Sequence, residues 1–203
     1  MTESQLGIVI LAAGEARRFG ACKQLAEFQN KPLLQHALEA AFPLPHKRLV
    51  VITGKYDQEI KTAATNGFFG GAELIYNPDW PEGMSSSIRL GCQLLASDCD
   101  QILVLLSDQV LISTDELHAL VDGTDLTELA CAGFSGTVGP PALFGRAFYP
   151  ELLSLDAENG AKQILTNPEN HVRIVPMASA GWDIDTPEDL ENLADVGSYI
   201  FGN

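Results

Sequence analysis

Three stretches of the chain are apolar almost without interruption: LGIVILA at 6 to 12, RLVVIT at 48 to 53 and QILVLL at 101 to 106. Each is short and rich in β-branched residues, which suits a strand covered on both faces better than a half-exposed strand with strict alternation. Between them the apolar positions recur with helical spacing, in PLLQHALEAAF at 32 to 42, KYDQEIKTAATNG at 55 to 67 and SSSIRLGCQLLAS at 85 to 97. Strands and helices in alternation predict right-handed crossovers and a mostly parallel sheet with helices on both faces. The expected fold is therefore α/β, a three-layer Rossmann-like arrangement, with ligands beyond the carboxyl ends of the strands.

The pattern loosens after residue 125. ELACAGF at 128 to 134, GTVGPPALFG at 136 to 145 and VRIVPM at 172 to 177 are strand-like, with a helix near 147 to 155 between the last two. This half is expected to supply antiparallel strands and a lid. TPEDLENLA, from Thr186, carries the cap, the first-turn proline and the acid of a helix start. With 203 residues and no internal repeat, the chain reads as one domain, 1 to 203.

Charge narrows the choice of partner. The formal net charge is −15, from 27 acidic against 12 basic residues, so a non-specific nucleic-acid or anionic-membrane surface is not expected. Cys22, Cys92, Cys99 and Cys131 show no metal-site spacing, and no stretch approaches a membrane span, so a soluble cytoplasmic protein is the expectation. Against this acidic background, residues 13 to 23 hold Arg17, Arg18 and Lys23 with only Glu15 opposing them. Gly14 and Gly20 flank the two arginines in a loop that leaves the first strand at the sheet's carboxyl edge. Such a loop can cradle a polyphosphate; it can equally be a surface turn with solvated charges. It matches neither G-x-x-x-x-G-K-S/T nor G-x-G-x-x-G.

Two further groups fall at the same edge. Asp108 follows the strand 101 to 106, and Asp183 and Asp185 in WDIDTP share a face if that segment is extended. Carboxylates converging there could hold Mg²⁺, which takes one or two of them together with substrate phosphates; they could also be ordinary turn and pre-helix residues. In EGMSSSIRLG a serine cap accounts for one of Ser85, Ser86 and Ser87; the remaining hydroxyls could read a base or ribose, or the segment could be a flexible loop with a cap. His36 is assigned to a helix face in a structural role, and Trp80 and Trp182 are given no chemistry.

ILAAGEARRFGACKQL resembles the signature L-A-A-G-x-S-x-R-x-G-x-x-K of the MobA-like nucleotidyltransferases, in particular the molybdenum cofactor cytidylyltransferases. NPDWPEGMSSSIRLG, LLSDQ, GPPALFG and DIDTPEDL come after it in that branch's order. The resemblance implies an enzyme of the EC 2.7.7 type that moves CMP from CTP to Mo-molybdopterin with Mg²⁺. Leu11, Ala12, Ala13, Gly14, Arg18, Lys23, Ser86 and Ser87 then bind the nucleotide. Arg18, Lys23 and Asp108 are catalytic, and Asp108 and Asp185 are the metal ligands, Asp185 being preferred to Asp183. Pro140, Pro141, Phe144, Gly160 and Lys162 face the pterin, and a molybdoenzyme apoprotein receives the product. Ala13 favours the smaller base, since the guanylyl branch more often has glycine there. Ser87 with Gly91 matches the S-x-x-x-G associated with cytosine recognition. The chain departs from the pattern at Ala16, where serine is usual, at Val110, where proline is common, and at Ala157 and Glu158, in place of G-D. Two alternatives stand beside this reading: the same fold with another phosphate acceptor or GTP as donor, and a non-catalytic chaperone for the pterin cofactor.

Overall fold

The computed structural model of the chain describes residues 5–123, 128–156 and 160–200. Ala157 and Glu158 thus lie outside the described residues. The first half runs β1 (Leu6–Ala12), a two-rung hairpin of β2 (Glu27–Phe28) and β3 (Lys31–Pro32), α1 (Leu33–Ala41), β4 (Arg48–Thr53), α2 (Asp57–Thr65), β5 (Glu73–Tyr76), α3 (Met84–Leu95) and β6 (Gln101–Leu106). The second half runs α4 (Thr114–Val121), β7 (Leu129–Phe134), β8 (Thr137–Gly145), α5 (Tyr149–Leu153), α6 (Lys162–Thr166), β9 (Val172–Pro176) and α7 (Pro187–Ile200). A seven-stranded sheet in the order β5-β4-β1-β6-β8-β7-β9 forms the middle layer.

β1 lies at the centre of the parallel part, paired in parallel with β4 and β6, and all of its residues are buried. Its alternation divides the core. Ile8 and Ile10 join Leu34 and Leu38 of α1, Ile60 of α2 and Leu117 of α4 on one face. Val9 and Leu11 join Ile88 and Leu95 of α3, Leu152 of α5 and Ile164 of α6 on the other. Period-two side chains on a strand covered by helices on both faces give the continuous apolar run seen in the sequence.

The second half corrects one expectation. Its strands extend the same sheet and do not form a lid, and β8 alone runs against the rest: it is antiparallel to β6 and β7, while β7 and β9 pair in parallel. The ladder between β7 and β8 shifts register between Cys131 and Ala132, opposite the cis-bonded Pro140–Pro141 pair. Prolines lack the N–H that a regular ladder needs, so the bulge falls where the sequence puts them. β5 and α4 escaped the reading of the pattern. β5 is a four-residue edge strand with no buried residue; α4 opens with a capping box between Ser113 and Glu116.

His36 holds the structural role expected of it, its Nε2 2.8 Å from the Phe28 carbonyl and its ring tilted against the Phe28 ring. All four cysteines are free thiols. No described helix is long and apolar enough to cross a membrane.

Gly91 has a packing explanation. A Cβ there would stand 2.7 Å from Val9 Cγ1 and 2.8 Å from Cγ2, so α3 reaches β1 only because residue 91 has no side chain. Overpacking costs ~1–3 kcal/mol, and the gain in helix propensity returns at most ~1 kcal/mol. Gly91→Ala is therefore expected to lower the melting temperature. Combined with Val9→Ala, it should cost at least ~1 kcal/mol less than the sum of the single changes, as for residues in contact. Strict additivity in chemical denaturation would refute the contact.

Candidate active site

The cleft at the carboxyl edge of β1, β4 and β6 has a volume of about 650 Å³. One wall is the loop after β1. Gln24, buried, donates from Nε2 to the carbonyls of Ala12 at 3.0 Å and Gly14 at 3.4 Å, tying the loop's exit to its entrance. Ala16 sits at φ +50°, a left-handed conformation that costs a non-glycine residue strain. Arg17 pairs with Glu15 at 2.6 Å, and that hydrogen bond holds the Glu15 carboxyl below the usual carboxylate range.

A short 3₁₀ turn at Lys23–Leu25 directs Lys23 inward. Its ammonium lies 2.6 Å from Asp108 Oδ2 and 3.1 Å from Asp185 Oδ1, while Arg18 Nη2 lies 2.6 Å from Asp185 Oδ2. The Lys23 side chain is only 11% exposed. Burial works against its charge, but the two carboxylates outweigh burial and hold its pKa above the ordinary lysine value. Arg18, 71% exposed, is free to turn toward a ligand.

Each acid is fixed by its chain segment. Asp108 comes two residues after the end of β6, and its carbonyl accepts from Ile184 N at 3.3 Å. Ile184 is buried with Val110, Phe28 and Leu33, so valine at the place where proline is common supplies packing for the second acid's segment. Asp185 is then oriented by the start of α7. Asp189 Oδ2 accepts from the backbone N–H groups of Asp185 and Thr186 at 3.0 and 2.7 Å, and Asp189 N donates to Thr186 Oγ1. Asp183 instead accepts from Gln109 Nε2 at 3.3 Å.

Asp108 Oδ1 is buried with no hydrogen-bond partner while its Oδ2 holds Lys23. A hard, unsatisfied carboxylate oxygen beside a second carboxylate suits Mg²⁺ or a similar divalent cation. Among the described residues no cluster of three or more His, Cys, Asp or Glu side chains could hold a metal. Asp108 and Asp185 would therefore hold such an ion together with oxygens supplied by the substrate.

The serine-rich segment differs from the expectation in one respect. No serine caps α3: the N-cap is Gly83 at φ +99°, and the helix starts at Met84. That left-handed conformation favours glycine, which places the three serines inside the first turn. All three are buried, and Asn77 Nδ2 donates to Ser86 Oγ at 2.9 Å and Ser87 Oγ at 3.0 Å. Ser87 lines the cleft. Ser86, which donates to the Gly83 carbonyl, is not among the lining residues.

Leu11, Ala13, Gly14, Arg18, Lys23, Ser87, Asp108 and Asp185 line one cleft, whereas Ala12 meets it only through the loop it anchors. Trp80, Pro81 and Met84 also line it and were given no role by the sequence reading. The signal for Trp80 is Gly54: a Cβ at Gly54 would meet the Ala13 carbonyl, and would stand 2.8 Å from both the Ala13 and Trp80 Cβ atoms. The first loop and the tryptophan thus close on each other across a glycine.

Of the residues expected to face the pterin, Phe144 is set apart from the rest. Pro140 accepts from Gln109 Nε2 at 3.1 Å, Pro141 is buried, Lys162 Nζ lies 3.2 Å from Thr137 Oγ1, and Gly160 abuts Ser85. Phe144 is fully buried and pairs with Ile102 and Leu129 near the amino ends of their strands, at the far edge from Asp108. It is a core residue with no surface for a substrate, because a few positions beyond the proline bulge β8 has already run back into the sheet.

The chain matches the MobA-like NTP transferase domain over residues 8–173. It is 29% identical over 191 residues to the purine catabolism protein PucB of Bacillus subtilis, covering 90% of this chain and 93% of PucB. The bifunctional protein GlmU of Desulfotalea psychrophila is 25% identical over 146 residues, 71% of this chain, and the chain spans 42% of GlmU's length. In three dimensions the fold is similar to Rv0371c of Mycobacterium tuberculosis, with a TM-score of 0.82 at 22% identity over 95% of this chain and 99% of that one. A manganese complex of the same protein gives 0.76 at 23% identity over the same shares of the two chains. With a sheet that brings the loop after β1 and two acids to one edge, and a family match over most of its length, the chain belongs to the MobA-like NTP transferases.

Proposed function

We propose that this nucleotidyltransferase moves CMP from CTP to the terminal phosphate of Mo-molybdopterin, giving molybdopterin cytosine dinucleotide and pyrophosphate. The observation that carries the reading is the meeting of Lys23, Arg18, Asp108 and Asp185 at one cleft large enough for a nucleoside triphosphate. No activated protein nucleophile is required. The acceptor phosphate oxygen is already an anion; it forms a bond to the α-phosphorus as the bond from that phosphorus to the pyrophosphate oxygen breaks, and pyrophosphate leaves with the electron pair.

Mg²⁺ held by Asp108 and Asp185 supplies charge neutralisation on the reacting phosphates when bound. The chain's own residues do the positioning. Backbone groups from Ala13 and Gly14 approach the phosphates, and Arg18 and Lys23 offset the negative charge that develops on the leaving group. The Ala13 methyl and the Trp80 ring narrow the base side of the cleft, which favours cytosine over a purine, and Ser87, fixed by Asn77, offers a hydroxyl there. Gly160 beside Ser85 and the Lys162 ammonium supply the approach for the pterin phosphate. A complete set of cations and carboxylates supports turnover over a purely cofactor-carrying role, and a molybdoenzyme apoprotein is the expected recipient.

Purified protein with Mg²⁺, CTP and the metallated pterin should release pyrophosphate. Asp108→Asn and Lys23→Ala should each lower the rate by about a hundredfold or more, the scale of removing one transition-state charge partner. Rates within about threefold of native for both would contradict the assigned roles.

Donor choice is read separately by melting the protein with each nucleoside triphosphate and Mg²⁺. CTP should raise the melting temperature most, since a ligand that binds only the folded state stabilises it by mass action. Ala13→Gly should narrow the gap between CTP and GTP. An equal response to all four nucleotides would reject the cytidine assignment.

A further inference from the structure

The ion cluster has a property that phosphate binding alone does not explain. Lys23, the best-buried cation of the basic loop, bridges the two acids that would hold a divalent ion. Asp185 gives its other oxygen to Arg18. The two carboxylates and the two basic groups sum to zero charge. Without the cations the acids carry −2, the charge that one divalent ion offsets.

We infer that Lys23, assisted by Arg18, is a built-in stand-in for the divalent cation: it neutralises Asp108 and Asp185 in the nucleotide-free protein and leaves them only when substrate phosphates draw it away. Three observations support the exchange. Lys23 Nζ sits within hydrogen-bond reach of both acids at once. Asp108 keeps its second oxygen buried and unpaired, so the lysine leaves part of the acid's hydrogen-bonding capacity unused. Arg18 and Asp185 are open to solvent, at 71% and 37% side-chain exposure, so their pair is weak and readily exchanged.

The consequence is an order of events built into the loop. A divalent cation arriving alone must compete with an ammonium already in place, so it binds poorly. A triphosphate offers Lys23 and Arg18 a better-charged partner, and as they turn to it they bare the carboxylates. Cation and nucleotide thereby bind with positive coupling, which is reciprocal by linkage. The device also spares the site two unpaired acids while it waits for substrate, since removing one partner of a partly buried ion pair is costly. The inference rests on reading Asp108 and Asp185 as the cation-holding pair; it does not depend on which nucleotide or acceptor is used.

The test uses the full chain, Mn²⁺ as the probe, and neither nucleotide nor pterin. Mn²⁺ binding to the native protein, to Lys23→Gln and to Arg17→Gln is measured by calorimetry, with melting curves in EDTA and in Mn²⁺. Lys23→Gln should bind Mn²⁺ roughly tenfold or more tightly than native, a coupling of ordinary size. Arg17→Gln removes the same charge from the same loop without touching the acids, and should bind as native does. Lys23→Gln should also melt lower than native in EDTA and recover in Mn²⁺; if it folds only when Mn²⁺ is present, that outcome supports the exchange too. Unchanged Mn²⁺ affinity in Lys23→Gln, equal gains in both variants, or a Lys23→Gln protein that Mn²⁺ fails to restore would each overturn the inference. A failed cytidylyl-transfer assay alongside tightened Mn²⁺ binding would reject the substrate assignment and leave this device standing.

Discussion

The organising interaction is one ammonium shared by two carboxylates from distant parts of the chain. Lys23 lies beyond β1, Asp108 lies beyond β6 and Asp185 precedes α7, yet Lys23 lies within 2.6 and 3.1 Å of the two acids. That meeting is a result of topology. β1 and β6 are neighbouring parallel strands, so the loops that leave them emerge at the same sheet edge. The third segment is brought there by Ile184, buried beside Val110, and by the cap that Asp189 makes on the Asp185 backbone. The hydrophobic core and the charged site thus share residues: loosening Ile184 would move a carboxylate.

The same economy appears in the cleft wall that carries Trp80 and the serines. Gly54 and Gly91 do different jobs with the same missing atom, the first letting the loop after β1 close on Trp80 and the second letting α3 lie against Val9. α3 in turn carries the serines, two of whose hydroxyls are held by Asn77. Helix placement and hydroxyl placement are therefore one problem. In an acidic chain, anion binding at this edge would rest on the local field of a few cations in a partly desolvated loop.

Much of this was legible in the residues. The continuous apolar runs marked β1, β4 and β6, and helical spacing marked α1, α2 and α3, because buried parallel strands and amphipathic helices leave different periods. β5 left no such mark, being a short edge strand without a buried residue. The start of α4 was written in the Ser113 to Glu116 box, a signal the apolar pattern overshadowed. At the site, Arg18 and Lys23 were readable as cations out of keeping with an acidic chain, whereas Asp108 and Asp185 were singled out by their positions after a strand and before a helix and by the family resemblance. The mutual bridging was not, since it depends on where β6 and α7 fall in space. Phe144 was misplaced for a related reason: the motif that contains it is continuous in sequence, but β8 carries Pro140 and Phe144 to different depths of the sheet. The serine cap failed because Gly83 took that position at a φ that favours glycine.

The central claim is that Asp108 and Asp185 form the cation-holding pair of a nucleotidyl-transfer centre and that Lys23 serves the phosphates when substrate is present. Anomalous diffraction from crystals grown with Mn²⁺ and a non-hydrolysable CTP analogue tests it most directly. The account requires the manganese peak between Asp108 and Asp185, with Lys23 Nζ moved from the carboxylates to a phosphate oxygen. A manganese peak elsewhere, or Lys23 still bridging both acids with nucleotide bound, would contradict it.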